Sequence, residues 1–287
     1  MRTDRVCPIC GEVHDAACYL YNGDFLPYIN VAPGDSLEVI LFNMNKALSE
    51  IPPSTTTTTS TTTIISTLGY GALYNWYAAT DSRDIAPIGF HVPSQVEWET
   101  LGVYLDPSTS GGLNDNIGGS KLKETGVLYW YAPNSSATNE VGFNARGSGF
   151  RGSDGVCILI TQLTSFWTIS SVTLTTAYAS ELYYAFDGLA SSSYVPDKIQ
   201  GYPLRFIADS GTPTTVTDNS GHTYSCITIG TQTWTALNSK ETKYQNGDWI
   251  HGFDGGIYTP ILDSNWVSRG ILGESLMCYY NNDPNNA

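Results

Sequence analysis

Ile88-Gly89-Phe90-His91-Val92-Pro93-Ser94-Gln95-Val96-Glu97-Trp98 reads as a strand that turns at proline and enters a helix. Ser94 and Glu97 have capping-box spacing, in which the serine hydroxyl accepts from the third helical amide and the glutamate bonds back to the serine amide. Past the cap, Trp98, Leu101 and Leu105 recur at helical spacing and form the expected buried face. His91 sits at the turn, where a scaffold role is expected ahead of catalysis. Outward from this block, Tyr74-Asn75-Trp76-Tyr77 and Tyr129-Trp130-Tyr131 read mainly as core, with a few tyrosines turned to the surface.

Further blocks are in phase with the first. Gly69-Tyr70-Gly71-Ala72-Leu73-Tyr74-Asn75-Trp76-Tyr77-Ala78 precedes it; Lys121-Leu122-Lys123-Glu124-Thr125-Gly126 and Ala137-Thr138-Asn139-Glu140 with Gly142-Phe143 follow. A last group runs through Val216-Thr217-Asp218, Ile229-Gly230-Thr231-Gln232, Trp234, Leu237-Asn238 and Thr242-Lys243-Tyr244 to Met277-Cys278-Tyr279-Tyr280-Asn281-Asn282-Asp283-Pro284. Together these resemble the Fibrobacter succinogenes major paralogous domain over residues 68–287. The resemblance implies an α+β, C-type-lectin-like fold.

The order differs from that family's usual one, because the half that normally leads stands last here. The resemblance therefore implies a circularly permuted domain with the old ends joined near 209–216, or a domain completed by a neighbouring chain through exchange. Leu204-Arg205-Phe206-Ile207-Ala208-Asp209 resembles the family's closing strand. Ser210-Gly211-Thr212-Pro213-Thr214-Thr215 then has connector composition. Closure within one chain would bring Ala287 near residues 67–71.

Composition narrows the function. The formal net charge is −14 with only 14% charged residues, so the clustered Lys and Arg of a nucleic-acid surface are not expected. No apolar run reaches the roughly 18 residues of a membrane span. The first residues have no signal-peptide or lipid-attachment pattern, so assembly inside a host cell is expected. Six cysteines are present. Ala86 stands where the family resemblance would place a cysteine, which leaves Cys278 without its obvious partner; a reducing compartment makes that harmless.

The sequence before residue 68 divides in two. In residues 1–53, Cys7, Cys10, His14 and Cys18 approach zinc-knuckle spacing and supply the four ligands of a tetrahedral zinc site; thiols packed on a virion partner are the alternative. Asp35 caps an expected helix with Leu37, Ile40, Leu41, Met44 and Leu48 on one stripe, ended by Pro52-Pro53. Such a helix needs a surface to bury its stripe, expected to be a homo-oligomeric bundle or a capsid or tail protein. Residues 54–67 are a Thr-rich stalk whose nine Thr and Ser residues at 55–63 would extend over roughly 30 Å.

In the head, the stretches departing most from the family resemblance are 152–166 and 188–198. They are the expected ligand face, with Ser153, Asp154, Ile158, Gln162, Thr164, Ser191, Ser192, Tyr194 and Asp197 as candidate contacts. Calcium is not expected, because the lectin Glu-Pro-Asn, Gln-Pro-Asp and Trp-Asn-Asp patterns do not occur. Catalysis has little support: no phosphate loop, nucleophile elbow or zinc-protease motif is found, and the four histidines are scattered. Oxidases of a related fold need a core cysteine pair, for which Cys226 and Cys278 are the candidates.

The reading is a non-enzymatic phage structural protein on the virion surface, a head fibre or decoration subunit that binds host glycan or protein. A trimer is expected, with a dimer as the alternative. The rival classes are a tail fibre, a bacterial surface adhesin and a ligand-free cementing protein.

Overall fold

A computed structural model describes residues 69–108 and 116–286. The expectations for the zinc ligands, the helical stripe and the Thr-rich stalk lie outside these residues.

The fold is mixed α+β, with four short α-helices among the described residues and strands that curl into small antiparallel sheets. The capping box forms as expected: the Glu97 amide donates to Ser94 Oγ at 3.3 Å and the Ser94 amide to Glu97 Oε2 at 2.7 Å. The helix Gln95–Leu105 buries Trp98, Leu101, Gly102 and Leu105. Trp98 stacks on Phe166 at 5.2 Å and meets Trp234 at 4.8 Å and Phe143 at 5.9 Å. Blocks far apart in sequence therefore share one aromatic core.

The largest sheet orders its strands Phe90–His91, Ile207–Ala208, Gln232–Thr235, Thr223–Ile229 and Thr215–Thr217. Ile207 pairs with both His91 and Trp234, so residues 209–214 connect two strands of one sheet. A three-stranded sheet joins Leu163–Ser171, Ala177–Tyr183 and Ala190–Tyr194. At the far end of the chain, Met277–Cys278 pairs antiparallel with Leu73–Tyr74, Leu73 opposite Cys278. In this structure residues 216–286 thus complete the domain of their own chain.

Two buried guanidinium groups hold that completion. Arg205 is 1% exposed and donates to Phe143 O and Thr235 O at 2.8 Å, Asn144 O at 3.1 Å and Asn238 Oδ1 at 2.7 Å. No carboxylate is among these partners; carbonyl dipoles and the Phe143 ring, 4.3 Å from the guanidinium carbon, offset the loss of water. Arg151, fully buried, reaches Gly155 O at 2.7 Å, Ile261 O at 2.6 Å and Asp263 Oδ1 at 2.8 Å, with its carbon 4.5 Å from the Trp266 ring. Burial, reinforced by the nearby Arg146 charge, pushes the Arg205 pKa down, and the four acceptors are what keep a charge tolerable there.

Replacing Arg205 by Leu strands those acceptors in the core. Urea unfolding of Arg205→Leu is expected to show a loss of about 3–5 kcal/mol; a loss below about 1 kcal/mol would mean that the guanidinium is not a tie across the domain.

Candidate functional site

The expected ligand stretches are more ordered than loops. They contain the strands Cys157–Ile160, Leu163–Ser171 and Ala190–Tyr194. Two of the expected contacts are corrected. Thr164 is fully buried, in a run from Leu163 to Thr168 that is covered on both faces, and its hydroxyl lies 2.8 Å from Ser148 Oγ. Ser191 is 2% exposed beneath the Gln95–Leu105 helix, at Gly102. Tyr194 also turns its hydroxyl inward, 2.8 Å from that of Tyr202. The side chain of Ser192 lies outside the described residues.

The remaining contacts, Ser153, Asp154, Ile158, Gln162 and Asp197, keep at least partial exposure but do not converge. The helix Asp263–Ile271 stands between their turns. Gly155, at φ +85°, lies so close to its start that a Cβ would stand 2.6 Å from Asp263 O, while Ile199 packs against Gly270 near its end. Gln162 is elsewhere, its carbonyl accepting from the Tyr184 amide at 2.9 Å. There an exposed ridge carries Tyr131, edge-on to Tyr184 at 5.4 Å, and Tyr183, tilted on Phe186 at 5.5 Å. Of the two expected core clusters, Tyr74 and Trp130 are buried and Tyr131 is exposed.

A different site emerges where the chain closes. A polar groove of about 410 Å3 is lined by Asp81, Arg83, Trp249, His251, Glu274 and Ser275, with Gly273 at its edge. Its first wall follows the short helix Trp76–Ala79. There Arg83 grips both oxygens of Asp81, Nη2 at 2.8 Å and Nε at 2.9 Å, and Ser275 Oγ donates to the same carboxylate at 2.8 Å. The Arg83 hydrogen bonds lead in lowering Asp81 to about 2. The second wall is Trp249, stacked on Phe253 at 5.4 Å with Lys243 Nζ 4.2 Å from the ring. Glu274 accepts from Arg269 Nε at 2.7 Å, and its carbonyl accepts from Asn75 Nδ2 at 2.7 Å, fixing one wall to the other.

Chemically the groove can bind better than it can react. An aromatic side chain beside fixed donors and acceptors suits a neutral, hydroxyl-rich ligand. Ser275 is bonded to a carboxylate held near pKa 2, which is a weak general base. Among the described residues no group of three or more His, Cys, Asp or Glu side chains could hold a metal ion.

Next to it, a second cavity of about 310 Å3 is lined by Trp76, Asp81, Asp84, His91, Val92 and Ile169, among others. His91 lies between two carboxylates, Nε2 at 2.8 Å from Glu97 and Nδ1 at 2.7 Å from Asp209. The Glu97 hydrogen bond is the main cause that raises His91 to about 9. Glu97 is lowered to about 2: burial opposes this, and the bonds from His91 and Ser94 outweigh it. The arrangement supports a scaffold role, since the imidazole joins the helix N-terminus to the end of the Ile207–Ala208 strand.

In sum the residues build a mixed α+β domain, closed by its own last strand, with a polar groove along the seam. The chain belongs to the Fibrobacter succinogenes major domain family, whose sequence model matches residues 34–208. That span starts earlier than expected from the motif blocks and ends at the Ile207–Ala208 strand, leaving the blocks from 216 onward beyond it. No curated protein and no solved structure matches the chain.

The raised His91 and lowered Glu97 fix a pH window. The histidine's contribution is complete below its unfolded value of 6.5 and is lost as pH rises through about 9. The glutamate's is complete above 4.5 and is lost as pH falls through about 2. Both groups are partly exposed, so His91→Gln is expected to cost only about 0.5–1 kcal/mol at pH 6 and nothing at pH 10. Equal losses at both pH values, measured by urea unfolding, would remove the ion pair from the account.

Proposed function

We propose that this chain is a phage structural protein, a head-fibre or decoration subunit whose domain binds a host-surface glycan in the seam groove. The observation that carries the binding reading is that Trp249 and the fixed polar groups of Asp81, Arg83 and Glu274 line one cavity. The virion reading rests on the order of segments in the sequence: a stretch suited to anchoring in 1–53, a Thr-rich spacer in 54–67 and a head from 68. On this reading the chain is a homo-oligomer, a trimer by preference, attached through its N-terminal segment.

The head is in this reading a C-type-lectin-like domain and a circular permutation. Two observations support the permutation. Residues 209–214 link two strands of one sheet, where the old ends would have been joined, and Met277–Cys278 lies beside Leu73–Tyr74, where the usual order would run on.

A glycan array probed with the full-length protein tests the binding reading. Binding to a defined subset of glycans is expected, and Trp249→Ala is expected to weaken it at least about tenfold, from the lost aromatic wall of the groove and the area it covers. Absence of any glycan bound, or undiminished binding by the variant, would favour the cementing alternative or another face of the head.

A further inference from the structure

The cysteine pair considered from the sequence does not form. Cys226 lies on the Thr223–Ile229 strand opposite Thr235 and packs on the core around Tyr74 and Trp167. Cys278 belongs to a separate buried cluster with Leu73, Trp266 and Tyr280, against which Cys157 and Ile160 pack. Within that cluster the two thiols lie close enough to shift each other's titration, although roughly 120 positions separate them in the sequence. They sit on strands from the two parts of the chain that must meet for the domain to close: Cys157 opposite Arg151, and Cys278 opposite Leu73.

We propose that Cys157 and Cys278 form a disulfide when the chain meets a low-molecular-weight disulfide such as oxidised glutathione, and that this bond locks the Met277–Cys278 strand in place. The two sulfurs have unequal surroundings. Cys157 is half-buried and reachable; Cys278 is fully buried. The Cys278 thiol is the leading cause that lowers Cys157 to about 7, helped by the Asn281 amide and the Arg151 charge. Burial raises Cys278 well above the ordinary thiol range, so it stays protonated. Cys157 is therefore the attacking sulfur and Cys278 the resolving one.

The exchange balances in two steps. The Cys157 thiolate attacks one sulfur of the external disulfide, forming a mixed disulfide and releasing one thiolate, which takes up a proton. Cys278 then gives up its proton and attacks Cys157 Sγ, and the second external thiol leaves. Two electrons pass from the protein thiols to the external disulfide, and the domain gains a covalent link across its closure. Such a link acts mainly by shortening the unfolded chain's effective length, more so the longer the loop it closes.

The test uses reduced full-length protein incubated with oxidised glutathione, quenched, alkylated and digested without reductant. The expected result is a linked peptide joining Cys157 to Cys278, two hydrogens lighter than the separate peptides, with Cys226 alkylated. Recovery of Cys157 as a stable glutathione adduct, or of both residues alkylated, would overturn the proposal. The thermal midpoint should rise by about 5 °C on oxidation, and Cys278→Ser should abolish the rise; Cys157→Ser serves if the buried variant fails to fold. A linked peptide with no change in midpoint would overturn the locking role.

Discussion

Buried guanidinium groups that are satisfied mainly by backbone carbonyls hold this domain together. A charge without water is tolerated only where several acceptors are already aimed at it, so Arg205 and Arg151 each require stretches far apart in sequence to arrive together. Arg205 binds Phe143 and Asn144 on one side and Thr235 and Asn238 on the other. Arg151 binds the Gly155 turn and the 261–263 stretch. Each spans the residues up to 208 and the residues after 216. The same division is crossed by the contact of Trp98 with Trp234 and by the pairing of Leu73 with Cys278. The late segment is thus part of the core and not an appendage to it.

Lys123 shows the same device at smaller scale. Its ammonium donates to Ser135 O, Tyr183 O and Phe186 O at 3.1, 3.2 and 2.8 Å, and burial lowers it to about 8. It ties the turn bearing Tyr183 and Phe186 to the Lys121–Gly126 block. Nearby, Gly147 lets two chain segments touch: a Cβ there would stand 2.8 Å from Thr161 Cα. Thr161 itself is held at φ +63°, a costly conformation for a β-branched residue. The exposed aromatic ridge is therefore mounted on a fixed base.

What the sequence disclosed depended on whether the signal was local. The Ser94–Glu97 cap, the Trp98, Leu101 and Leu105 face and the burial of Tyr74 and Trp130 follow from spacing and composition alone, and all appear as read. Thr164 and Ser191 were misplaced because polar side chains in divergent stretches read as surface, whereas here strands covered on both faces absorb small hydroxyls that find internal partners. The helix Asp263–Ile271 had no motif to mark it. The seam groove was invisible for a more basic reason: Asp81 and Arg83 lie far in sequence from Trp249 and Glu274, and only the return of the last strand makes them neighbours. The expected closure of the chain on itself pointed to the seam, but nothing in the sequence marked its Trp249 wall.

The first strand of the head has a mechanical consequence. Any pull transmitted through the residues before 69 enters at Leu73–Tyr74, which is gripped on one flank by Met277–Cys278 and on the other by Tyr202, whose amide and carbonyl bond Tyr74 at 2.9 and 2.8 Å. Tension therefore divides at once between the chain's final strand and the strand-like run leading to Arg205. A tether that loads both halves of the domain together draws on their shared core for resistance, and does not peel one layer at a time.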